Sequence, residues 1–339
     1  MKTVIRLLLL FLGLILFSWF VYQAGPDEIL RGFGRLGWLT PLILIPFGFV
    51  YYADTLGWLF AFGAKFRPQL PFLTLLRIRW AGEAVNSVVP SAYIGGEALK
   101  VYLLRKKGVP MAHATSSVVV GKTMQTLSQL VFIGLGAAAF LPLVVPDSGF
   151  RLGMLLVLAG SFAIVGVLFW LQSQGMFAIL LGLLSKLKIR MASVETHKAK
   201  LEHIDHQISE FYRRDRKHFA LSASAYFGGW IMDTMEIFLA AYLLGMPIFW
   251  TQALAVEAFV SIAKFLGLFV PGALGVQESG IVFLCRTAGL PEAFGVTYAL
   301  IRRGREVVYA AIGWGIFYAE EAALKGLGER MASSRTNSA

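Results

Sequence analysis

Glu97 and Glu278 are the carboxylates of this sequence best placed to do chemistry, because each directly follows a broken apolar run, VVPSAYIGG in one case and FVPGALGVQ in the other. Proline removes a backbone donor and glycine weakens a helix, so each Glu opens a new short helix, where the helix dipole favours negative charge. Two uses fit such a carboxylate. It caps the helix and steadies the break, or it forms an exchangeable proton or cation site at the tip, where freed backbone groups must meet protein or water. Asp54, Asp233 and Glu236 are further acids inside apolar stretches, the last two sharing one helix face. Together these five are the gating and proton-coupling candidates.

Lys122, Arg302, Arg303 and Arg305 offer the opposite chemistry. Arg presents bidentate donors and Lys a point charge, and both suit a phosphate led through an apolar slab. Gln125 follows Lys122 by three residues and Glu306 follows Arg303 by three, completing a set of headgroup candidates. Arg302 and Arg303 also stand four and three residues before Glu306, a spacing that pairs them structurally and still leaves positive charge over. Gln129 and Glu257 add weaker polar lining. A charge at the bilayer centre costs at least about 2.5–3.5 kcal/mol, so such residues persist there only when paired or lining a polar path.

The elements that hold these residues are apolar helices. The chain is 57% hydrophobic and 15% charged, with a mean hydropathy of +0.67, outside the range of soluble globular domains. About 20 apolar residues span the hydrocarbon core, and six segments qualify: Leu7 to Gln23, Trp38 to Phe62, Ala112 to Leu141, Leu152 to Leu171, Phe219 to Leu244 and Ala293 to Tyr318. Lys2 and Arg6 precede the first, which lacks a small-x-small cleavage site and is expected to stay as an anchor. Two further stretches, Leu70 to Leu104 and Ala253 to Leu284, are broken at Pro90, Gly95 and Gly96 and at Pro271, Gly272 and Gly275.

Those two broken stretches are copies of one another. Residues 89–112 align without a gap on 270–293, with matched Pro90/Pro271, Glu97/Glu278, Arg105/Arg286, Gly108/Gly289 and Pro110/Pro291 among the identities. The same shift of 181 residues carries Lys122 onto Arg303 and Glu83 onto Lys264, and a shift of 179 carries Asp54-Thr55 onto Asp233-Thr234. Glu83 and Lys264 are therefore expected to pair across a pseudo-twofold axis. Basic residues flank both ends of the first stretch (Lys65, Arg67, Arg77 and Arg79; Arg105, Lys106 and Lys107), whereas Arg286 alone flanks the second. The positive-inside rule then makes each a re-entrant hairpin, entering from opposite faces. Of the 31 Lys and Arg, this topology leaves 21 inside, 4 outside and 6 within the membrane, with both termini cytoplasmic.

The expected architecture is an all-α polytopic membrane protein, one membrane domain over 1–331. Its repeat halves cover about 37–141 and 219–318, with a cytoplasmic connector near 173–218 and a disordered tail over 332–339. Within the connector, Leu201, Ile204, Ile208 and Phe211 recur at helical spacing, which predicts an amphipathic helix lying on an anionic bilayer surface. His203 and His206 there are not read as metal ligands. No P-loop, GxSxG or HExxH motif occurs, so no metal or cofactor is expected. The basic residues are scattered between apolar spans and serve topology rather than nucleic acid. A single cysteine, Cys285, reads as a packing residue.

RWAGEAVNSVVPSAYIGGEALKVYLLR, DTMEIFLAAYLLG and FVPGALGVQESG resemble the lysylphosphatidylglycerol synthase transmembrane-region (flippase-like) family, and most closely its hopanoid-associated branch. The resemblance extends from about Leu7 to Glu320. In bifunctional members a related membrane region flips aminoacylated phosphatidylglycerol, made by a separate soluble domain. The resemblance implies lipid handling in the bacterial inner membrane, and aminoacyl transfer by these 339 residues is not expected. Translocation of an anionic phospholipid or a polyprenyl- or hopanoid-linked lipid is the leading expectation. A headgroup-modifying transferase using the same carboxylates, or a non-catalytic partner of lipid-biosynthesis enzymes, are the alternatives.

Overall fold

The computed structural model describes residues 36–65, 69–88, 94–140, 148–176, 198–246, 248–266 and 275–336, with Asp27, Gly34 and Ile179 as isolated positions. The expected span Leu7 to Gln23, Pro90, Pro271 and Gly272 lie outside them. The described residues are helical, without strands. A 3-10 turn (Gly37–Ile43) leads into α1 (Leu44–Ala61), followed by α2 (Phe72–Val88), α3 (Ile94–Lys106), α4 (Met111–Phe140), α5 (Ser148–Gln174), α6 (Lys198–Arg214), α7 (Arg216–Leu243), α8 (Trp250–Leu266), α9 (Val276–Thr287) and α10 (Glu292–Thr336). Gly37–Ala61 and Met111–Phe140 are long and apolar enough by composition alone to cross a bilayer. α7 and α10 carry their charges within the run instead.

The repeated Arg, Gly and Pro have a local cause. Gly108 (φ 89°) and Gly289 (φ 78°) end α3 and α9 in the left-handed conformation. Val109 N–H donates to the Leu104 carbonyl at 3.1 Å, and Leu290 N–H to that of Cys285 at 2.9 Å. This is the Schellman closure that glycine permits. Pro110 and Pro291 follow, and their carbonyls accept the first helical bonds of α4 and α10. Each half therefore turns from its short helix into its long one by the same stop-and-start device.

Each broken stretch folds as an antiparallel helical hairpin. In the first, Asn86 Oδ1 accepts from Gly96 N–H at 2.8 Å and Glu83 takes Lys100 at 3.0 Å. The α2 and α3 backbones nearly touch, since a Cβ on Gly96 would lie 2.1 Å from the Gly82 carbonyl oxygen. Gly95 and Gly96 therefore sit in the first turn of α3, not in the break, and Gly96 serves helix approach. In the second hairpin, Gln252 Nε2 donates to the Ala288 carbonyl at 2.9 Å and Gly280 faces Ala263. Gly275 (φ 79°) is the N-cap of α9.

The long helix α10 orients the hairpins. Its start lies along α9, with Gly295 against Val282 and Cys285, and Gln277 next to the second tip reaches Glu306 at 3.1 Å. Farther along, Gly313 receives Ala84 and Trp80 of α2, and Glu320 meets Arg77 at 3.3 Å and Lys107 at 2.7 Å, at the open end of the first hairpin. The hairpins thus run along α10 in opposite directions. Their contacts recur in pairs under the 181-residue shift: α2 packs on α10 as α8 packs on α4, where Gly136 admits Ala258. α1 and α7 lie antiparallel, with Tyr226 over Gly57 and Ser222 donating to the Gly57 carbonyl at 2.8 Å.

Two apolar cores result, one built mainly from α1–α4 and α6, the other mainly from α7–α10. Ile204, Ile208 and Phe211 of α6 belong to the first core. This corrects the expectation of a helix with its apolar face in lipid: α4 and α5 cover that face, because a buried partner removes more apolar surface from water than a bilayer edge. The C-terminal expectation also changes. α10 continues past Tyr318 to Thr336, because AEEAALKGLGER is composed largely of strong helix formers. The exterior of α5 presents Leu152, Leu155, Leu156, Ile164, Val167 and Trp170, an apolar surface suited to hydrocarbon.

Asp215 caps α7 and ties it to α1. Its carboxylate accepts from Ala64 N–H at 2.7 Å and from His218 Nδ1 at 2.7 Å. Partial burial alone would raise its pKa, but the hydrogen bonds from the Ala64 amide and from His218 outweigh burial and hold it below the ordinary 3.8. A carboxyl whose folded pKa is depressed stabilises the fold above its unfolded value and loses that contribution as pH falls through the folded one. Asp215→Asn should therefore melt below the parent at neutral pH, with the gap closing as the pH drops below about 3.8; a constant gap in a melting series against pH refutes the charge-based cap. Gly96→Ala should lower stability by about 1–3 kcal/mol by forcing α2 from α3, measured by thermal melting in detergent.

Candidate functional site

Charged side chains from both halves gather inside the bundle, and the structure decides which meets which. In the first half, Arg79 of α2 bonds Asp54 of α1, and Gln125 Nε2 donates to the same carboxylate at 3.1 Å. Lys100 of α3 bridges Glu83 and Glu97, each at 3.0 Å. Lys122 donates to Gln125 Oε1 at 3.1 Å. Arg79, Lys100, Lys122, Glu83 and Glu97 line one small polar pocket with Trp58, Gln125 and Tyr226. With Asp54 behind Arg79, three cations stand among three carboxylates in this cluster. The Trp58 Nε1–H and one Arg79 terminal nitrogen are buried without a hydrogen-bond partner.

The second half is more tightly neutralised. Arg302 gives both terminal nitrogens to Glu257 at 2.5 and 2.8 Å, with the Arg302 residue 1% and Glu257 0% exposed. Arg305 bonds Glu236 and reaches Asp233 at 3.4 Å, and its guanidinium lies 3.5 Å from the centre of the Phe47 ring. Arg303 bonds Glu278 and donates to Glu306 at 2.7 Å. Glu278 also accepts from Gly275 N–H at 2.8 Å, so it caps α9 while holding Arg303. Lys264 stands 3.4 Å from Glu306.

An aromatic wedge joins the two clusters. Phe47, Tyr51, Trp80 and Tyr309 pack together, with Trp80 and Tyr309 stacked at 5.3 Å. Arg79 lies over Tyr51 at 5.1 Å on one side and Arg305 over Phe47 on the other. Trp80 Nε1–H donates to the Tyr309 carbonyl and the Tyr309 hydroxyl to that of Leu44, so the wedge is anchored at its polar tips.

Four sequence expectations are corrected. Glu83 and Lys264 do not pair with each other: each finds a nearer counter-ion in its own half, Lys100 across the hairpin and Glu306 on α10. Arg302 does not share Glu306 with Arg303, since adjacent helical positions face different neighbours and Arg302 faces α8. The positive charge expected to be spare there is absent among the described residues, where Lys264, Arg302, Arg303 and Arg305 meet Asp233, Glu236, Glu257, Glu278 and Glu306. Sequence reading placed Arg79 with the flanking charges, yet it is buried on Asp54; its position one helical turn before Glu83 was the available signal.

Breaking one of these buried pairs has a predictable cost. Glu257→Gln should destabilise by about 3–5 kcal/mol by stranding Arg302, whereas the double replacement Glu257→Leu with Arg302→Met should recover most of that loss. Melting of the parent and the two variants checks it, and a single variant as stable as the double removes the pairing account.

No curated protein matches the chain. The family model described as lysylphosphatidylglycerol synthase TM region matches residues 4–313. That range contains both hairpins and every charged residue of the two clusters. The chain, an all-α integral membrane protein with a lipid-related role, belongs to the lysylphosphatidylglycerol synthase transmembrane-region family.

Proposed function

We propose that this protein moves a lipid between the leaflets of a bacterial inner membrane, the lipid being an anionic phospholipid or a polyprenyl- or hopanoid-linked one. The observation that carries this reading is the first-half pocket, where Lys100, Lys122 and Arg79 line one space with Glu83 and Glu97 and the Trp58 Nε1–H is buried without a hydrogen-bond partner. Such a lining is suited to an anionic headgroup. The opposed course of the hairpins along α10 supports alternating access, in which the tips give way in turn. Glu97 and Glu278 act as the gating carboxylates, since each holds a cation at the start of a second hairpin leg. The headgroup role falls to Lys122 with Gln125, which line that pocket side by side. Lipid-biosynthesis enzymes are the partners this reading supplies with substrate or product.

Liposomes holding purified protein and labelled lipid test it. Leaflet exchange without covalent change is expected, and a modified lipid product would replace translocation with headgroup transfer. Lys122→Gln should slow anionic lipid by about tenfold and zwitterionic lipid less, the effect of one lost charge-assisted hydrogen bond. Glu97→Gln should abolish exchange at near-parent stability; if it only steadies the helix start, it costs about 1 kcal/mol and exchange survives.

Topology has its own test. Cysteines at the exposed positions Lys106 and Arg286, at the open ends of the two hairpins, should react with impermeant reagent from opposite sides, cytoplasmic and external respectively. Labelling of both from one side removes the inverted arrangement.

A further inference from the structure

A second cavity, of about 280 Å³, lies where the end of α1 meets α4 and α6, one helical turn along the α1–α4 seam from the polar pocket. Phe62 and Phe211 supply apolar wall, and Lys65, Glu210, Arg214 and Asp215 supply the charge. Asp215 is committed to Ala64 and His218. Glu210 takes Lys65 on Oε1 at 3.3 Å. Its Oε2 is buried and accepts no hydrogen bond, with His206 Nδ1 4.0 Å away. Arg214 is exposed at the same cavity and has no carboxylate partner among the described residues.

The cavity thus combines an acceptor in want of a donor, a guanidinium in want of an anion, and aromatic wall at the end of membrane-embedded helices. A simple anion would meet Arg214 and Lys65 but would be repelled by Glu210 and Asp215, and a simple cation would meet the reverse. A ligand carrying both signs satisfies both. We propose that this cavity binds a zwitterionic phospholipid of the aminoalkyl-phosphate class, its phosphate on Arg214, its ammonium on the Glu210 carboxylate and its glycerol end against Phe62 and Phe211. The site goes beyond the translocation reading, because it selects a zwitterion where the inner pocket suits an anion.

The test uses the full chain in detergent, titrated separately with phosphatidylethanolamine, phosphatidylglycerol and soluble glycerophosphoethanolamine, with retention read by native mass spectrometry. Phosphatidylethanolamine should be retained in preference to phosphatidylglycerol. Arg214→Gln and Glu210→Gln should each weaken that retention by about tenfold, and Val120→Phe, which fills the cavity without changing charge, should remove it. Melting temperature is read on every variant, and the exposed Arg214→Gln variant keeps the test valid where a buried change unfolds the protein. Equal retention of the two lipids, or retention unchanged in both charge variants, overturns the site. Soluble headgroup binding as tightly as the intact lipid overturns its assignment to a lipid. Lipid exchange in liposomes is measured in parallel: loss of retention with exchange intact supports a site separate from translocation, and failed exchange with retention intact counts against the translocase alone.

Discussion

Arg302 surrenders nearly all its contact with solvent and gives both terminal nitrogens to Glu257. A lone guanidinium in that position would be untenable, because an unpaired ion removed from water loses several kcal/mol of solvation with nothing in return. The rest of the molecule is arranged around this requirement. α8 must lie where Glu257 can reach α10, α7 where Asp233 and Glu236 can reach Arg305, and α2 where Arg79 can reach Asp54. The ion pairs set which helix faces meet. Apolar packing alone would leave those faces interchangeable, since lipid is as apolar as leucine.

Small residues make those meetings possible. Gly96 against Gly82, Gly136 against Ala258 and Gly313 against Ala84 bring helices together at backbone distance, and side chains of moderate length can then bridge between them. Lys100 spans from α3 to Glu83 only because α2 and α3 nearly touch. The helix pairs that meet, α2 on α10 and α8 on α4, follow from the repeat, although the small residues at each crossing do not. The charges do not follow it: the carboxylate carried at Glu83 in the first half reappears at Glu306 in the second, where Lys264 takes the equivalent place. An architecture that is duplicated thus encloses two chemically unequal interiors. One sets three cations among three carboxylates around a small pocket, and the other sets four cations among five carboxylates.

Aromatic rings stand between the two interiors. Phe47, Tyr51, Trp80 and Tyr309 separate Arg79 from Arg305, yet each arginine rests on a ring face of the same stack. A shift of α2 along α10 would have to move the Trp80 to Tyr309 hydrogen bond with it.

The sequence by itself determined the features whose causes are local. The apolar runs, the breaks near Pro90 and Pro271, the carboxylates opening α3 and α9, and the Gly–x–Pro turns after them depend only on residue type and spacing within a few positions of chain. The family could be read from the same segments. Only the tertiary structure decided the partners. Arg302 and Arg303 are neighbours in the chain and face different helices; Arg79, placed among topological flanks, is buried on Asp54; and α6, amphipathic enough for a bilayer surface, covers its apolar face with α4 and α5. Each outcome depends on the rotation and approach of helices distant in sequence, and a periodicity of 3.6 residues fixes the face a side chain occupies but not the neighbour brought to that face.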